Sequence, residues 1–484
     1  MKAILPCISL LVLISPAFSQ LDSLWSYTYG GRYSESCCTL IQTADQGFAL
    51  AGDITVSPYR HFQLIKTDSA GNQDWIKSYG ALRYSYYCYS AIQTLDDGFV
   101  LVGASYTPGG ESDYDYLLIR TDSDGDTLWS KKYGGTGGDY CSSVIQTPDS
   151  GFVLAGYSWS FGAGYSDAWL LKVSSNGDSI WSVTFGDIYN DYCNSMIFTK
   201  DSCIVFAGEF LYPDSSGMQD FWLVKIDNSG RLIWSRTYDV GELDMTRSVI
   251  QTADSGFVIV GSISPIENFD ADWLVLKTNS TGDSLWSQTF GGSENDYCNS
   301  VIQTADGGFM LAGDTWSFSR GYSDTWLIET DTYGDSLWSK TFGGTNSDDC
   351  RSLVQTNDNC LALAGGTNSF GEGDYDFWLL KVGQLEVVHG NNIANSPGRF
   401  ELRNIFPNPF NSTVKITINL PYQTNVTLNI YNITGKQVAT LIKGELSPGI
   451  HTASWNPENL ASGIYFAKLI WGTDAMTRKI TLIR

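Results

Sequence analysis

The chain has 484 residues, with 52 Asp and Glu against 29 Lys and Arg, a formal net charge of −23 and a sequence pI near 4.4. A surface this acidic repels nucleic acid and anionic lipid, so neither is expected as a partner. Aromatic residues make up 14% and there are 49 Gly, which suits a turn-dense all-β protein with ample core.

The chain opens with Met1-Lys2, an apolar run through Ile14, and small residues around Ala17-Phe18-Ser19. This predicts a secretory signal peptide over 1–19, because the run is too short to span a bilayer. Cys7 sits inside the apolar run, too early for a lipid-modified Cys. No other stretch could cross a membrane, so export through the periplasm is expected.

From Trp25 to Val382 one segment of about 52 residues recurs seven times, marked by Trp25, Trp75, Trp129, Trp181, Trp234, Trp286 and Trp338. Each copy holds four short β-type runs and no helical stretch, the pattern of a blade repeated around an axis. Ile302-Gln303-Thr304 and Phe309 to Gly313 flank Ala305-Asp306-Gly307-Gly308, two strands joined by a tight turn. Trp169-Leu170-Leu171-Lys172-Val173 is nearly continuous apolar, as a strand covered on both faces requires. A further turn leads to a fourth strand that opens with Ile180-Trp181. The expectation is a seven-bladed β-propeller over 20–382. The first Trp strand has no three strands before it, and the seventh copy lacks its fourth. Residues 22–29 are therefore expected to complete the last blade beside Phe377 to Val382, with Leu385-Glu386-Val387-Val388 as the rival filler of that edge.

Several series recur within the blades. Cys37, Cys88, Cys141, Cys193, Cys298 and Cys350, with Thr246 in blade five, would ring the central channel, either as a metal collar or as small buried residues where strands converge. Bridges between them are not expected, since equivalent positions lie too far apart. Two residues earlier come Glu35, Asp139, Asp191, Asp244, Asp296 and Asp348, with Tyr86 in blade two. On a channel rim they could hold a cation or a polyhydroxyl ligand, or they could accept backbone amides. A second series, Asp115, Asp167, Asp220, Asp272, Asp324 and Asp376, with His61 in blade one, reads as turn caps.

The Asp122-x-Asp124-Gly125-Asp126 string lacks the later Glu of a calcium loop. Loops at Tyr157 to Tyr165, Trp316 to Tyr322 and Asn368 to Gly373 carry aromatics among Gly and Ser, either as stacking surfaces for a glycan or protein ligand or as packing between blades. Catalytic motifs are missing: there is no Gly-x-Ser-x-Gly elbow, no His-Glu-x-x-His and no phosphate loop. The sequence therefore favours a binding or adhesion protein with no catalytic residue, cofactor or metal assigned. The alternative is an extracellular propeller hydrolase or lyase acting on polysaccharides with two carboxylates.

After a polar linker over 383–398, residues 399–484 carry nine Lys or Arg against four Asp or Glu, a net +5 that leaves the propeller and linker near −29. Alternating runs such as Val414 to Ile418, Val426 to Tyr431, Ile464 to Phe466 and Lys479 to Leu482 predict a small immunoglobulin-like β-sandwich. Phe406-Pro407-Asn408-Pro409-Phe410-Asn411, Tyr431 to Lys436, Ser462-Gly463-Ile464-Tyr465-Phe466 and the terminal Lys479-Ile480-Thr481-Leu482 strand follow one another here. With these motifs the segment resembles the type A C-terminal sorting domain of the type IX secretion system, itself similar to the immunoglobulin-like domain of flagellar hook-capping proteins. The resemblance implies delivery to the medium or outer surface of a Gram-negative bacterium of the Bacteroidetes type, with the secretion machinery and a sortase-like peptidase as partners. The same resemblance carries over Pro407, Asn408, Pro409, Gly435, Gly463, Tyr465 and Lys479 as recognition features. The hairpin Asp122 to Trp129 also resembles the Trp-docking repeat of quinoprotein-type propellers, which concerns blade packing and implies no quinone.

Overall fold

In the computed structural model, described over residues 22–383 and 400–482 apart from 82–83, 107–113, 212–218, 241–242, 266–269, 407–409, 411, 421, 458–459 and 473, every regular element is a β-strand. Residues 1–19, the rival edge segment 385–388 and Pro407, Asn408 and Pro409 lie outside the described residues. Among those described, no helix is long and apolar enough to cross a membrane.

Seven four-stranded antiparallel sheets follow one another. Blade three is typical, with strands Asp139–Gln146, Phe152–Ser158, Asp167–Val173 and Ser179–Phe185. Its second and third strands are buried along nearly their whole length, while the fourth is exposed or half-buried throughout. This is the gradient expected of strands running from a packed centre to a solvated edge. Blades four and five are linked by one parallel pairing, Gln219 with Leu243. The last sheet is completed by Ser23–Tyr29, which pairs antiparallel with Asp376–Val382 from Tyr29↔Phe377 to Ser23↔Val382.

Three contacts recur between consecutive blades. The fourth-strand Trp lies over a left-handed Gly in the outer turn of the next blade, Trp75 on Gly125 and Trp129 on Gly177, where a Cβ would meet the indole. A Tyr at the end of that strand donates to the carbonyl of the same Gly: Tyr79 to Gly125 at 2.7 Å and Tyr238 to Gly282 at 2.5 Å. Trp25 and Tyr29 do the same to Gly71, the latter at 2.6 Å, so the N-terminal strand joins blade seven to blade one as an ordinary fourth strand. A Gln at the end of the first strand accepts from the preceding blade's turn, Gln93 from the Ala44 amide and Gln42 from the Asn357 amide. Where that turn carries Pro148, which has no N–H, blade four has Phe198 in place of the Gln.

The C-terminal unit has two sheets: Glu401–Phe406, Val414–Leu420 and Gly449–Trp455, and Gln437–Leu446, Thr424–Asn432, Gly463–Trp471 and Asp474–Leu482. Val414, Ile416, Ile418 and Leu420 alternate with solvated neighbours and pack against Leu428, Ile430, Ala467, Leu469 and Ile480 in one core.

Candidate functional site

In blades one to six the first strand carries a bulge at the residue after the ring Cys or Thr: Cys38, Tyr89, Ser142, Asn194, Arg247 and Asn299. A bulge bends the strand and re-aims its side chains, which opens this end of each blade to individual chemistry. The ring thiols themselves are buried; in blade three Cys141 Sγ spans the bulge to the Ser143 carbonyl at 3.6 Å, and in blade seven Cys350 Sγ donates likewise to the Ser352 carbonyl at 3.6 Å. Thr246 donates instead to the Gly208 carbonyl at 2.8 Å. Among the described residues no group of three or more His, Cys, Asp or Glu is arranged to hold a metal ion.

The six acids placed on the rim by sequence, Glu35, Asp139, Asp191, Asp244, Asp296 and Asp348, are at most 2% exposed rather than forming an open ring. Each gathers donors from the surrounding loops. Asp139 accepts from the Gly135 amide at 2.9 Å and the hydroxyls of Ser158 and Ser160, and Asp348 from the Gly344 amide at 2.7 Å and the hydroxyls of Thr367 and Ser369. Each also faces a third-strand acid of the preceding blade: Glu35 with Asp376, Asp139 with Asp115, Asp191 with Asp167, Asp244 with Asp220, Asp296 with Asp272 and Asp348 with Asp324. At five of these six interfaces a Gly lies between the two carboxylates, and a Cβ there would collide with both. Between blades one and two both acids are replaced together, by His61 and Tyr86, and the His61 ring fills the space beside Gly80.

Four oxygens of these pairs are buried without a donor: Glu35 Oε2, Asp376 Oδ1, Asp244 Oδ1 and Asp324 Oδ1. Burial first, and the neighbouring carboxylate second, push Glu35 up to about 7. Burial, offset in part by the Val240 amide and reinforced by Asp220 and Asp239, carries Asp244 to about 8. At the Glu35–Asp376 and Asp244–Asp220 interfaces burial and the facing carboxylate therefore favour the protonated form of one acid.

The aromatic side chains break the sevenfold repetition. Between ring acid and ring Cys stand Ser36, Tyr87, Tyr140, Tyr192, Met245, Tyr297 and Asp349. The three consecutive Tyr of blades two to four join Tyr106, Tyr114 and Tyr157 in one tract. Ring centroids lie 6.0 Å apart for Tyr87–Tyr114, 4.8 Å for Tyr114–Tyr140, 5.0 Å for Tyr140–Tyr157 and 4.9 Å for Tyr157–Tyr192, with Tyr106 5.2 Å from Tyr114. Trp159, 54% exposed, meets Tyr140 edge-on, and Arg60 lies over Tyr87 at 5.4 Å. The tract rings are half-buried, leaving part of each accessible. Burial above all pushes the Tyr157 phenol up to about 12, so its hydroxyl stays neutral. Elsewhere in the ring the corresponding positions carry Ser36, Met245, Tyr297 and Asp349, the last paired with Arg351 at 3.2 Å. The loop aromatics Phe161 and Phe318 are 41% and 48% exposed, yet each also packs on a blade Trp, Trp169 and Trp326, at 4.9 Å. Packing, one of the two roles the sequence left open, thus accounts for part of each ring, and the rest of each is solvent-exposed.

In the C-terminal unit Gly435 takes a left-handed φ of 76° in a turn where the Asn432 side chain accepts from the amides of Thr434 and Lys436. Tyr465 is buried against Trp455 and donates to the Ala461 carbonyl at 2.8 Å, Gly463 opens its strand, and Lys479 is exposed on the last strand. Residues 404–483 match the family described as the secretion system C-terminal sorting domain. The chain carries a type IX sorting domain. It is thus a secreted or cell-surface protein of a Bacteroidetes-type Gram-negative bacterium.

No curated protein matches the chain by sequence. Similar solved structures include PorZ, a surface component of the type IX secretion system of Porphyromonas gingivalis, at 13% identity and TM-score 0.40, covering 90% of this chain and 58% of PorZ. The chain thus spans little more than half the length of PorZ. The Pan2 WD40 domain of Neurospora crassa matches at 10% identity and TM-score 0.47, covering 74% of this chain and 95% of that one. An α-L-arabinanase of Penicillium chrysogenum matches at 8% and 0.42, covering 75% and 99%.

Proposed function

We propose that the sorting domain delivers a non-catalytic binding propeller whose ligand, a neutral polysaccharide, lies along the aromatic tract of blades two to four. The observation that carries this reading is the asymmetry. Packing makes the same demand at every blade, so a tract confined to three of them answers to something other than packing. Rigid rings with neutral hydroxyls offer flat faces for the apolar side of sugar rings and hydrogen bonds for their hydroxyls, at small entropic cost. The acids of the repeat are engaged with each other and with loop amides, which argues against a pair free to work on a glycosidic bond. Residues 399–484 would engage the secretion machinery, with Gly435, Gly463, Tyr465 and Lys479 among the recognition features, before a sortase-like peptidase removes them.

The test is a screen of the exported chain against an array of neutral and acidic polysaccharides, with reducing ends measured in the same samples. Retention on neutral glycans without new reducing ends is the expected result. Release of oligosaccharides would establish the hydrolase reading, and retention by acidic glycans alone would overturn the ligand class.

A further inference from the structure

Blade one holds the single bulge that is a cysteine. In two other blades the bulged residue reaches the ring residue of the next blade: Asn194 Nδ2 donates to the Thr246 carbonyl at 3.0 Å, and Asn299 Nδ2 to the Cys350 carbonyl at 2.9 Å. By the same geometry Cys38 reaches the ring residue of blade two, which is Cys88. The two side chains share one apolar cluster, with the Cys38 thiol acting directly on that of Cys88, and Cys38 Sγ donates to the Ala51 carbonyl at 3.3 Å. This is also the one interface at which the paired acids are missing, replaced by His61 and Tyr86.

We propose that Cys38 and Cys88 form a disulfide between blades one and two during export, a staple where the acid pair is absent. The oxidant is a protein disulfide of the thiol-oxidising class found in the periplasm. The half-buried Cys38, as thiolate, attacks one sulfur of that disulfide and releases a thiolate. Cys88, as thiolate before the blades close over it, attacks the Cys38 sulfur of the mixed disulfide and displaces the second. The protein loses two protons and two electrons, and the oxidant becomes a dithiol. The remaining described thiols stay reduced: Cys37, Cys141, Cys193, Cys298 and Cys350 each belong to a separate blade centre, and Cys203 and Cys360 sit in turns of blades four and seven. The sequence argument against bridges among the ring thiols did not weigh Cys38, which gives blade one a second cysteine.

The full chain exported to the medium, denatured without reductant, alkylated and digested, should yield one linked peptide pair lighter by two hydrogens than the reduced peptides, with fragmentation placing the bond at Cys38 and Cys88. In C37S the link should persist, and in C38S it should vanish. Reductant should lower the melting temperature of the wild type by several degrees and leave that of C38S unchanged. Complete alkylation of Cys38 in unreduced wild-type protein would overturn the proposal, and so would a bond to Cys37. Because the mass measurement uses the wild type, poor folding of a variant does not blunt it.

Discussion

Asp244 tests most sharply how the blades are held. It is fully buried, faces Asp220 and has one oxygen without a donor. Burial chiefly, with Asp220 and Asp239 added, carries it from the ordinary 3.8 to about 8. A carboxyl raised in the folded state lends stability in full below its unfolded value, and that contribution is lost as pH climbs through the folded value. Between pH 4 and pH 8 the loss from Asp244 alone is on the order of 5 kcal/mol. Glu35, Asp53 and Glu209, each raised to about 7 by burial first, and Asp191 and Asp220, each raised to about 6 by burial first, act in the same direction. The opposite limb comes from turn acids held low. Asp149 lies at about 2 through Lys172 and Thr147, and Asp358 at about 2 because Lys381 and Thr356 outweigh its burial. Their contribution fades only as pH falls below the ordinary carboxylate range.

Thermal unfolding followed by near-ultraviolet circular dichroism should therefore show a maximum near pH 4 to 6 and a steep decline toward pH 8.5. Asp244→Asn removes the ionisable group and offers Asp220 an amide donor. The variant should match the wild type at pH 5 and exceed it by several degrees at pH 8.5. A wild-type melting temperature that stays flat or rises from pH 5 to 8.5 would refute the reasoning, as would a D244N deficit of equal size at both pH values.

Removing residues 22–30 takes away the strand that joins blade seven to blade one, and the melting temperature should fall by about 10 °C or more. An unchanged transition by circular dichroism would show that the ring closes otherwise. In blade six Glu329 stands where the other blades place a buried Lys or Arg, facing Asp306. Glu329→Lys should stabilise the propeller by about 1 kcal/mol in urea titration, with the lost Trp338 contact acting against the gain. A chain lacking residues 399–484 should accumulate in the periplasm, checked by fractionation; normal appearance in the medium would remove the sorting role.

The propeller was legible because packing against identical neighbours forces each blade to repeat its Trp, Gly and apolar third strand. The closing strand was legible because Trp25 had no blade of its own. The two acid series were visible as series, but their pairing was not. Asp167 and Asp191 lie in different blades, and only stacking around the ring brings them together. The bulge after the ring residue of blades one to six was likewise hidden, since one inserted residue leaves no mark in an alternating pattern. That concealed the reach of Cys38 toward Cys88 and the convergence of Tyr87, Tyr140 and Tyr192 on one tract. In the sorting segment the strand positions followed directly from alternation, as at Val414–Leu420, where burial on every second residue is the whole signal.

The central claim is that the tract on blades two to four is the ligand surface. The most direct measurement is a calorimetric titration of the exported chain with the neutral polysaccharide it retains best, repeated with Tyr140→Ala and, as a control from blade six, Trp316→Ala. Loss of affinity by about tenfold or more in Y140A, with W316A unchanged and both variants melting as the wild type does, is the predicted result. Equal affinity in Y140A and wild type would contradict it.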